Sequence, residues 1–187
     1  MGLKGGIFDE LRELVQKKAV LRGEFTLASG KKSNYYIDAR LVTLSPLGAC
    51  LIGPAVLESV KDEVMAGRIH AVGGMSIGAD PIAVAVSIAS MKQRTPLVAF
   101  IVRKEVKDHG TGKRIEGPLQ PGMITIIVED VTTTGGSAIK AIEAVMDFGC
   151  DVHAVVSLID RQEGASDELK KHRIKFIPLI SKDELIL

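Results

Sequence analysis

The sequence is poor in aromatic residues and has almost no excess of charge. It contains no tryptophan, and Phe, Tyr and Trp together make up 4% of its 187 residues. A platform that stacks single-stranded nucleic acid needs several aromatic rings, so this composition argues against one. Lys and Arg number 24 against 23 Asp and Glu, which gives a formal net charge of +1. Proteins that coat nucleic acid or anionic membranes are strongly basic, so we expect neither partner.

Cysteine and long apolar segments are also scarce. Cys50 and Cys150 lie far apart and lack the spacing of a metal site, which indicates buried thiols in a reducing compartment rather than a disulfide framework. No run of about 18 apolar residues is present to span a membrane. Charged residues soon after Gly6 interrupt the apolar core that a signal peptide needs. The expected location is the cytoplasm.

Short apolar runs alternate with helical patterns from residue 69 onward. The predicted strands are 69–75, 97–102, 123–128, 152–159 and 174–180, and the predicted helices between them lie near 80–93, 136–148 and 165–172. Apolar strands separated by helices predict an α/β fold with an open, mostly parallel sheet flanked by helices. The length and the lack of a linker-like segment predict a single domain over residues 1–187.

A smaller unit precedes this sheet. Apolar residues at helical spacing predict an amphipathic helix over 7–20, and alternating apolar residues predict a hairpin over 25–37. A serine followed by a proline at 45–46 is typical of a helix start, and a helix is predicted from there to about residue 66. We call the N-terminal unit, residues 1–45, the hood.

The strongest functional signal is an apolar strand that ends in two acids and leads through a threonine- and glycine-rich turn into a helix. The segment runs Ile126, Ile127, Val128, Glu129, Asp130, Val131, Thr132, Thr133, Thr134, Gly135, Gly136 and Ser137. Ligands of open parallel sheets bind at the carboxyl ends of strands, and backbone amides, hydroxyls and a helix N-terminus form a cradle for a phosphate monoester. The paired carboxylates suit ribose hydroxyls or hydrated Mg²⁺. A solvated strand end with an N-cap is the simpler alternative, but it does not require the full segment.

A stretch over 103–122 has several glycines and no apolar periodicity, and its first part is basic. Residues 103–114 hold five bases and two acids, a net charge of +3, so the rest of the chain sums to −2. The candidate anion ligands are Arg103, Lys104, Lys107 and His109. On a flexible loop, which we place at 103–118, they can converge on a polyanion such as pyrophosphate, exclude water and stabilise its leaving charge. A solvated basic loop is the alternative.

Two more strand ends carry candidate residues. Gly73, Gly74 and Gly78, at and after the first predicted strand, can let the backbone approach an anion closely. The alternative is a purely steric role, which is common for glycines between a strand and a helix. Arg161 follows the run at 152–159, and its planar guanidinium suits a carboxylate or the carbonyl edge of a pyrimidine. An ordinary surface ion pair is the alternative for this arginine.

The segment 128–137 resembles the phosphoribosyl pyrophosphate (PRPP) motif of the type I phosphoribosyltransferases. Three further segments resemble those of the orotate-using members of that family. They are 25–36 with its Phe-Thr-Leu, Ser-Gly and Tyr-Tyr groups, the basic stretch 103–110, and Asp-Arg-Gln-Glu at 160–163. The last two segments separate the chain from purine-using relatives.

This resemblance implies the type I phosphoribosyltransferase fold, with the hood as its small N-terminal part. It implies transfer of ribose 5-phosphate from PRPP to orotate, giving orotidine 5′-phosphate and pyrophosphate in de novo pyrimidine (UMP) biosynthesis. It also implies Mg²⁺, held through PRPP and water near Glu129 and Asp130 without direct protein ligands. The family's loop completes the site of a neighbouring subunit, so a homodimer with shared active sites is expected.

The resemblance also implies a role for each candidate residue. Lys107 and Asp130 are the implied catalytic residues. The residues implied to bind PRPP are Arg103, Lys104, Lys107, His109, Glu129, Asp130, Val131, Thr132, Thr133, Thr134, Gly135, Gly136 and Ser137. The residues implied to contact orotate are Thr133, Arg161, Tyr35 and Tyr36. The two tyrosines are equally suited to packing the hood against the core.

The chain departs from the family pattern at two hood positions. Many relatives have a lysine where this chain has Ala28 and a proline where it has Asn34, and Lys31 or Lys32 can substitute for that lysine. Two other functions are considered. A purine phosphoribosyltransferase would share the PRPP motif but not the other segments. A PRPP-sensing regulator would need a nucleic-acid surface, which the near-neutral chain does not provide.

Overall fold

The chain opens with a helix and a hairpin that stand apart from the main sheet. The computed structural model describes residues 5–26, 30, 32–104 and 114–186. In the hood, helix α1 (Ile7–Lys18) is followed by the antiparallel strands β1 (Val20–Thr26) and β2 (Lys32–Ile37). The predicted helix is present but ends earlier. The hairpin starts at Val20 rather than near residue 25, because Val20 pairs with Ile37 beyond an irregularity in the ladder.

Three helices lie between the hairpin and the main sheet: α2 (Arg40–Thr43), which is still part of the hood, α3 (Pro46–Ser59) and α4 (Lys61–Met65). The predicted helix start is confirmed, since the Oγ of Ser45 accepts a hydrogen bond from the Gly48 amide at 3.0 Å. The prediction of one helix to about residue 66 is wrong. Helical geometry is lost at Val60, where φ is −129° and ψ is 29°, and the side chain of Val60 is buried in the core.

The main sheet is mostly parallel, as predicted. Its strands are β3 (Ala71–Met75), β4 (Val98–Val102), β5 (Ile115–Glu116), β6 (Ile124–Thr132), β7 (Asp151–Asp160) and β8 (Lys175–Ser181), and the helices are α5 (Ala79–Lys92), α6 (Gly136–Asp147) and α7 (Ala165–Lys171). The strand order is β5-β4-β3-β6-β7-β8. Within this sheet, among the described residues, only the β4–β5 pairing is antiparallel. Strand β5 was not predicted, because two residues are too few to show a period.

Apolar side chains pack on both faces of this sheet. Helices α1, α3 and α5 cover one face, where Ile126 and Val128 of β6 point. Helices α6 and α7 cover the other, where Ile127 points. A strand buried on both faces reads as a continuous apolar run rather than as an alternating one, which is why the runs predicted these strands.

The glycines of β3 are required by packing. A Cβ atom on Gly73 would lie 2.3 Å from the carbonyl oxygen of Phe100, and one on Gly74 would lie 2.4 Å from that of Val128. We expected these glycines to let the backbone approach an anion. The structure instead places them inside a buried strand, where neighbouring backbone fills the space of a side chain.

The chain changes direction across the sheet between β3 and β6. The connection through α5 leads from β3 to β4 on one side, whereas β6 pairs with the other side of β3. Such a switch point leaves a crevice outside the carboxyl ends of the two strands, where open α/β sheets bind their ligands. Within the described residues, no helix combines the length and the apolar character needed to cross a membrane.

We predict that Gly73→Ala destabilises the protein by about 2 kcal/mol or more, since the added methyl group forces backbone apart in a filled core. Gly136→Ala is the matched control, because a Cβ there meets nothing closer than 3.9 Å and alanine favours a helix. Urea denaturation measures both changes. Wild-type stability in the Gly73 variant would contradict the packing role.

Candidate active site

A cleft of about 430 Å³ lies at this switch point. It is lined by residues 36–40 of the hood, by 75–78 after β3, by 129–131 of β6 and by Arg161 after β7. Segments far apart in sequence therefore meet at the carboxyl ends of neighbouring parallel strands. This is the edge of the sheet at which the sequence predicted a ligand.

A second pocket, of about 280 Å³, adjoins the cleft around the start of α6. It is lined by Glu129, Val131, Thr132, Thr133, Thr134, Gly135, Gly136, Ser137, Ala138 and Lys140. Gly135 has φ of 86°, a left-handed geometry that favours glycine, and it directs the chain into the helix. Amides of the first helical turn and three nearby hydroxyls suit a phosphate group. We call this pocket the cradle.

The cleft and the cradle form one continuous site. Glu129, Val131, Thr133 and Ser137 line both of them. The hydroxyl of Thr132 instead points into the protein, where it bonds the Oγ of Ser157 at 2.7 Å. A ligand with a phosphate in the cradle can therefore extend past Glu129 into the cleft.

The two acids lie within β6 rather than at its end, since the strand continues to Thr132. Glu129 is 7% exposed, and its Oε1 has no hydrogen-bond partner among the described residues. Burial, reinforced by the charge of Asp130, raises the pKa of Glu129 to about 8, although Lys104 acts in the opposite direction. Glu129 is thus an acid held at the junction of cleft and cradle with hydrogen-bonding capacity to spare.

Asp130 lies against the turn that follows β3. A Cβ atom on Gly78 would lie 2.5 Å from the Oδ1 of Asp130, and that oxygen accepts a hydrogen bond from the Val131 amide at 2.8 Å. Gly78 therefore makes room for a carboxylate of the protein itself. The absence of a side chain at this position brings the β3 turn and the acid pair together.

Cationic side chains follow the end of β4. Lys104 lines the cleft, and the Nη1 of Arg103 lies 3.4 Å from the Oε1 of Glu116. Both line a further pocket of about 500 Å³ that continues past Ser76. The other two predicted loop ligands, Lys107 and His109, lie outside the described residues.

Arg161 enters the cleft from the end of β7. Its amide donates to the Thr132 carbonyl at 2.9 Å, and its Nη2 lies 2.8 Å from the Oε1 of Glu163. The Nε is buried and has no partner within the described part of the chain. Asp160 stabilises the turn by accepting a hydrogen bond from the Gln162 amide at 2.9 Å. The surface ion pair is present, but it leaves part of the guanidinium available to a ligand.

The two tyrosines of the hood take different positions. Tyr36 lines the cleft, whereas Tyr35 packs against the hydrophobic core. The Nζ of Lys182 lies 5.8 Å from the centre of the Tyr35 ring. Neighbouring residues of a strand point to opposite faces, so only one tyrosine can face the cleft. The structure places Tyr36 there and not Tyr35.

Two cleft residues were missed by sequence reasoning. Asp38 and Arg40 line the cleft and form an ion pair, with the Nε of Arg40 2.9 Å from the Oδ1 of Asp38. The signal in the sequence is weak, because two opposite charges two positions apart are common on any surface. Only the path of the chain from the hairpin into α2 brings them to the site.

A mostly parallel sheet with an acid-bearing strand, a phosphate cradle at its switch point and a small hood defines the type I phosphoribosyltransferase fold. No protein-family model matches the chain. It is 51% identical to the orotate phosphoribosyltransferase of Rhodopirellula baltica over 156 residues, 82% of this chain and 81% of that one. It is 45% identical to that of Methanocaldococcus jannaschii over 177 residues, 94% of this chain and 95% of that one.

Solved structures agree with these relatives. The orotate phosphoribosyltransferase of Mycobacterium tuberculosis H37Rv in complex with PRPP superposes with a TM-score of 0.83 at 35% identity, covering 97% of this chain and all (100%) of that one. The chain belongs to the orotate phosphoribosyltransferase family. It is thus an enzyme that transfers ribose 5-phosphate from PRPP to orotate, a step of pyrimidine biosynthesis. The purine-using and regulatory alternatives are set aside.

We predict that the free energy of unfolding falls as the pH rises from about 4.5 to about 8, with Glu129 as a cause. In this range the unfolded chain releases the Glu129 proton, whereas the folded protein retains it. Glu129→Gln removes this term, so at pH 9 the variant should be more stable than the wild type by on the order of a few kcal/mol. Urea denaturation at pH 5, 7 and 9 measures the difference. Parallel pH profiles for the two proteins would contradict the assignment.

Proposed function

We propose that the cleft and the cradle divide the two substrates between them. The cradle, residues 132–137, binds the 5-phosphate of PRPP through amides and hydroxyls. Glu129 and Asp130 bind the ribose hydroxyls. The main observation behind this proposal is that the cradle and the cleft are continuous, since Glu129, Val131, Thr133 and Ser137 line both. One molecule can therefore place its phosphate in the cradle and its ribose in the adjoining cleft.

Orotate then lies on the remaining part of the cleft. Arg161 offers its buried Nε and its guanidinium edge to the orotate carboxylate or a ring carbonyl. Thr133 and Tyr36 line the same space. Pyrophosphate leaves toward the loop cations, namely Arg103, Lys104, Lys107 and His109. Each substrate thus meets groups of complementary charge.

The reaction requires positioning and charge stabilisation rather than a covalent protein nucleophile. A ring nitrogen of orotate attacks C1 of the ribose as the bond from C1 to pyrophosphate breaks, and positive charge develops on the ribose. Glu129 and Asp130 orient the sugar, and Lys107 stabilises the negative charge on the leaving group. Holding two substrates in line and supplying donors where charge develops account for large rate effects.

We also propose that Mg²⁺ takes part. The unpartnered Oε1 of Glu129 beside Asp130 fits a cation or the water around it. The ligands that we propose are PRPP oxygens and water, held near the acid pair. Bound there, Mg²⁺ would offset the charge of pyrophosphate.

Two side-chain environments support the proposed cytoplasmic location. Both cysteines are free thiols; Cys150 is buried as predicted, whereas Cys50 is exposed, so the prediction of a buried thiol is wrong there. An exposed free thiol is most compatible with a reducing compartment. The proposed cytoplasmic location therefore rests on the exposed free thiol of Cys50.

A nucleobase-dependence assay tests the division of substrates. With PRPP and Mg²⁺, pyrophosphate release should require orotate and should not be supported by adenine or hypoxanthine. Arg161→Ala should raise the KM for orotate about 10- to 100-fold, because a charged hydrogen bond is lost, and should leave the KM for PRPP little changed. Arg161→Lys keeps the charge without the planar fork and should lie between. Equal effects on both KM values would contradict the assignment of Arg161 to orotate.

We propose a homodimer formed through an apolar surface on α3 and α5. Val84, Ile88 and Met91 recur at helical spacing along α5, and Leu47 projects from α3; each is more than half exposed. Contiguous apolar surface of this kind marks an interface. Helix α5 begins directly after the cleft segment 75–78, so a second copy on this surface would lie beside the site and could supply its loop there.

Mixing two variants that are both impaired at orotate concentrations below the wild-type KM tests the shared site. Lys107→Ala should slow catalysis on the order of a hundredfold or more, because a donor to the leaving group is lost. Mixed with Arg161→Ala at equal concentration and allowed to exchange subunits, it should recover about a quarter of wild-type activity, since half of the dimers are mixed and each has one intact site. Absence of recovery, with exchange verified by a labelled subunit, would contradict a loop that acts on its partner.

A further inference from the structure

An arginine outside the predicted site lies on the hood side of the cleft. Arg40 is the first residue of α2, and it lines the cleft together with Tyr36 and Asp38. Its side chain is 54% exposed. None of the roles given above to the phosphate, the ribose or orotate uses this cation.

Asp38 holds Arg40 in a defined orientation. The Nε of Arg40 donates to one carboxylate oxygen at 2.9 Å and its Nη2 donates to the other at 3.2 Å. Asp38 also accepts a hydrogen bond from the Arg40 amide at 3.2 Å. The hydrogen bonds from Arg40 lower the pKa of Asp38, which keeps its carboxylate charged. Asp38 therefore occupies the Nε and the Nη2 of the guanidinium. The Nη1 has no hydrogen-bond partner among the described residues.

The position of Arg40 relates it to the turn after β3. The hydrogen bonds and charge of Asp38 raise the pKa of Arg40, and the charges of Tyr36 and Asp130 add to this effect. Asp130 in turn lies against Gly78. Arg40 also lines the cleft together with Asp130 and the turn 76–78.

The turn 76–78 supplies no cation to this part of the cleft. Ser76, Ile77 and Gly78 carry no charge, and they line the cleft together with Lys104, one of the cations proposed above to meet the pyrophosphate. A pyrophosphate group needs positively charged donors to leave its hydration shell. In the described part of the chain, Lys104, Arg40 and Arg161 are the cations that line the cleft. Arg161 is the ligand proposed for orotate, which leaves Arg40 and Lys104.

We propose that Arg40 binds the pyrophosphate group of PRPP, with Asp38 as the residue that positions its guanidinium. A guanidinium fork matches two phosphate oxygens better than a lysine does. The inference rests on the proposed division of substrates between cleft and cradle. It adds to the loop cations a fixed cation supplied from the hood.

Because the Arg40–Asp38 ion pair is exposed, a role in binding substrate can be distinguished from a role in stabilising the fold. Surface ion pairs contribute little to stability, so removing Arg40 should not unfold the protein. An effect on substrate binding then reports a contact with substrate. Loss of Asp38 should act in the same direction but more weakly, because the charge of Arg40 remains.

The test compares Arg40→Ala, Arg40→Lys and Asp38→Asn with the wild type. Arg94→Ala is the matched control, since Arg94 is exposed in the turn after α5 and does not line the cleft. Steady-state assays give the KM for PRPP and for orotate, and product inhibition gives the inhibition constant of pyrophosphate. Calorimetry of pyrophosphate with Mg²⁺ measures binding without turnover.

Arg40→Ala should raise the KM for PRPP and the inhibition constant of pyrophosphate about tenfold, with little change in the KM for orotate. Arg40→Lys and Asp38→Asn should lie between this variant and the wild type, and Arg94→Ala should match the wild type. A rise in the KM for orotate alone would overturn the proposal and assign Arg40 to the orotate carboxylate. Unchanged kinetics and unchanged pyrophosphate binding would also overturn it.

Calorimetry distinguishes a failure of the Arg40 proposal from a failure of the proposed division of substrates between cleft and cradle. If the wild type binds pyrophosphate and Arg40→Ala binds it about tenfold more weakly, the Arg40 contact is supported even where the roles given to Arg161 or the acid pair fail. If the Arg161 variants behave as predicted and Arg40→Ala binds pyrophosphate like the wild type, the Arg40 contact alone is wrong.

Discussion

The parallel pairing of β3 with β6 is the contact on which the site depends. In register, Val72 lies beside Ile126 and Gly73 beside Ile127, so both strands deliver their carboxyl ends to the same place. Beyond the last paired residues, the backbone of Val128 occupies the space of a side chain at Gly74, and the Asp130 carboxylate occupies that at Gly78. A larger residue at any of these positions would push the acid pair away from the turn after β3. The chemistry of the cleft is therefore built on the closeness of two strands.

The near-zero net charge of the chain conceals a division of charge within the site. The buried Glu129 and its neighbour Asp130 lie at the base of the cleft, and Lys104, Arg40 and Arg161 lie around it. Burial disfavours the charged form of Glu129 and raises its pKa; a ligand that brings a cation or hydrogen-bond donors would stabilise that charged form. In the proposed arrangement, the phosphate, the sugar and the pyrophosphate of PRPP each lie beside a different part of this lining.

Sequence reasoning succeeded where a site is local in the chain. The cradle could be predicted because the strand end, the glycine turn and the first helical turn are contiguous from Glu129 to Ser137, and their backbone geometry follows from residue type. Arg161 could be proposed because it directly follows a buried strand. Sequence reasoning was less successful in the hood. The directions in which Tyr35 and Tyr36 point depend on the register of the hairpin, and the position of Arg40 depends on the path of the chain from the hairpin into α2.

The sequence by itself determined the mostly parallel sheet and the strand, turn and helix that form the cradle, because apolar runs and a contiguous motif record short-range structure. Its resemblance to a known motif indicated the phosphoribosyltransferase fold. Only the tertiary structure decided which side chains share the cleft. It turned Tyr36 toward the site and Tyr35 into the core, gave Gly73 and Gly74 a packing role, placed Asp130 against Gly78 and brought Arg40 to the hood wall. These outcomes depend on strand register and on the path between distant elements, and neither leaves a period or a spacing in the chain.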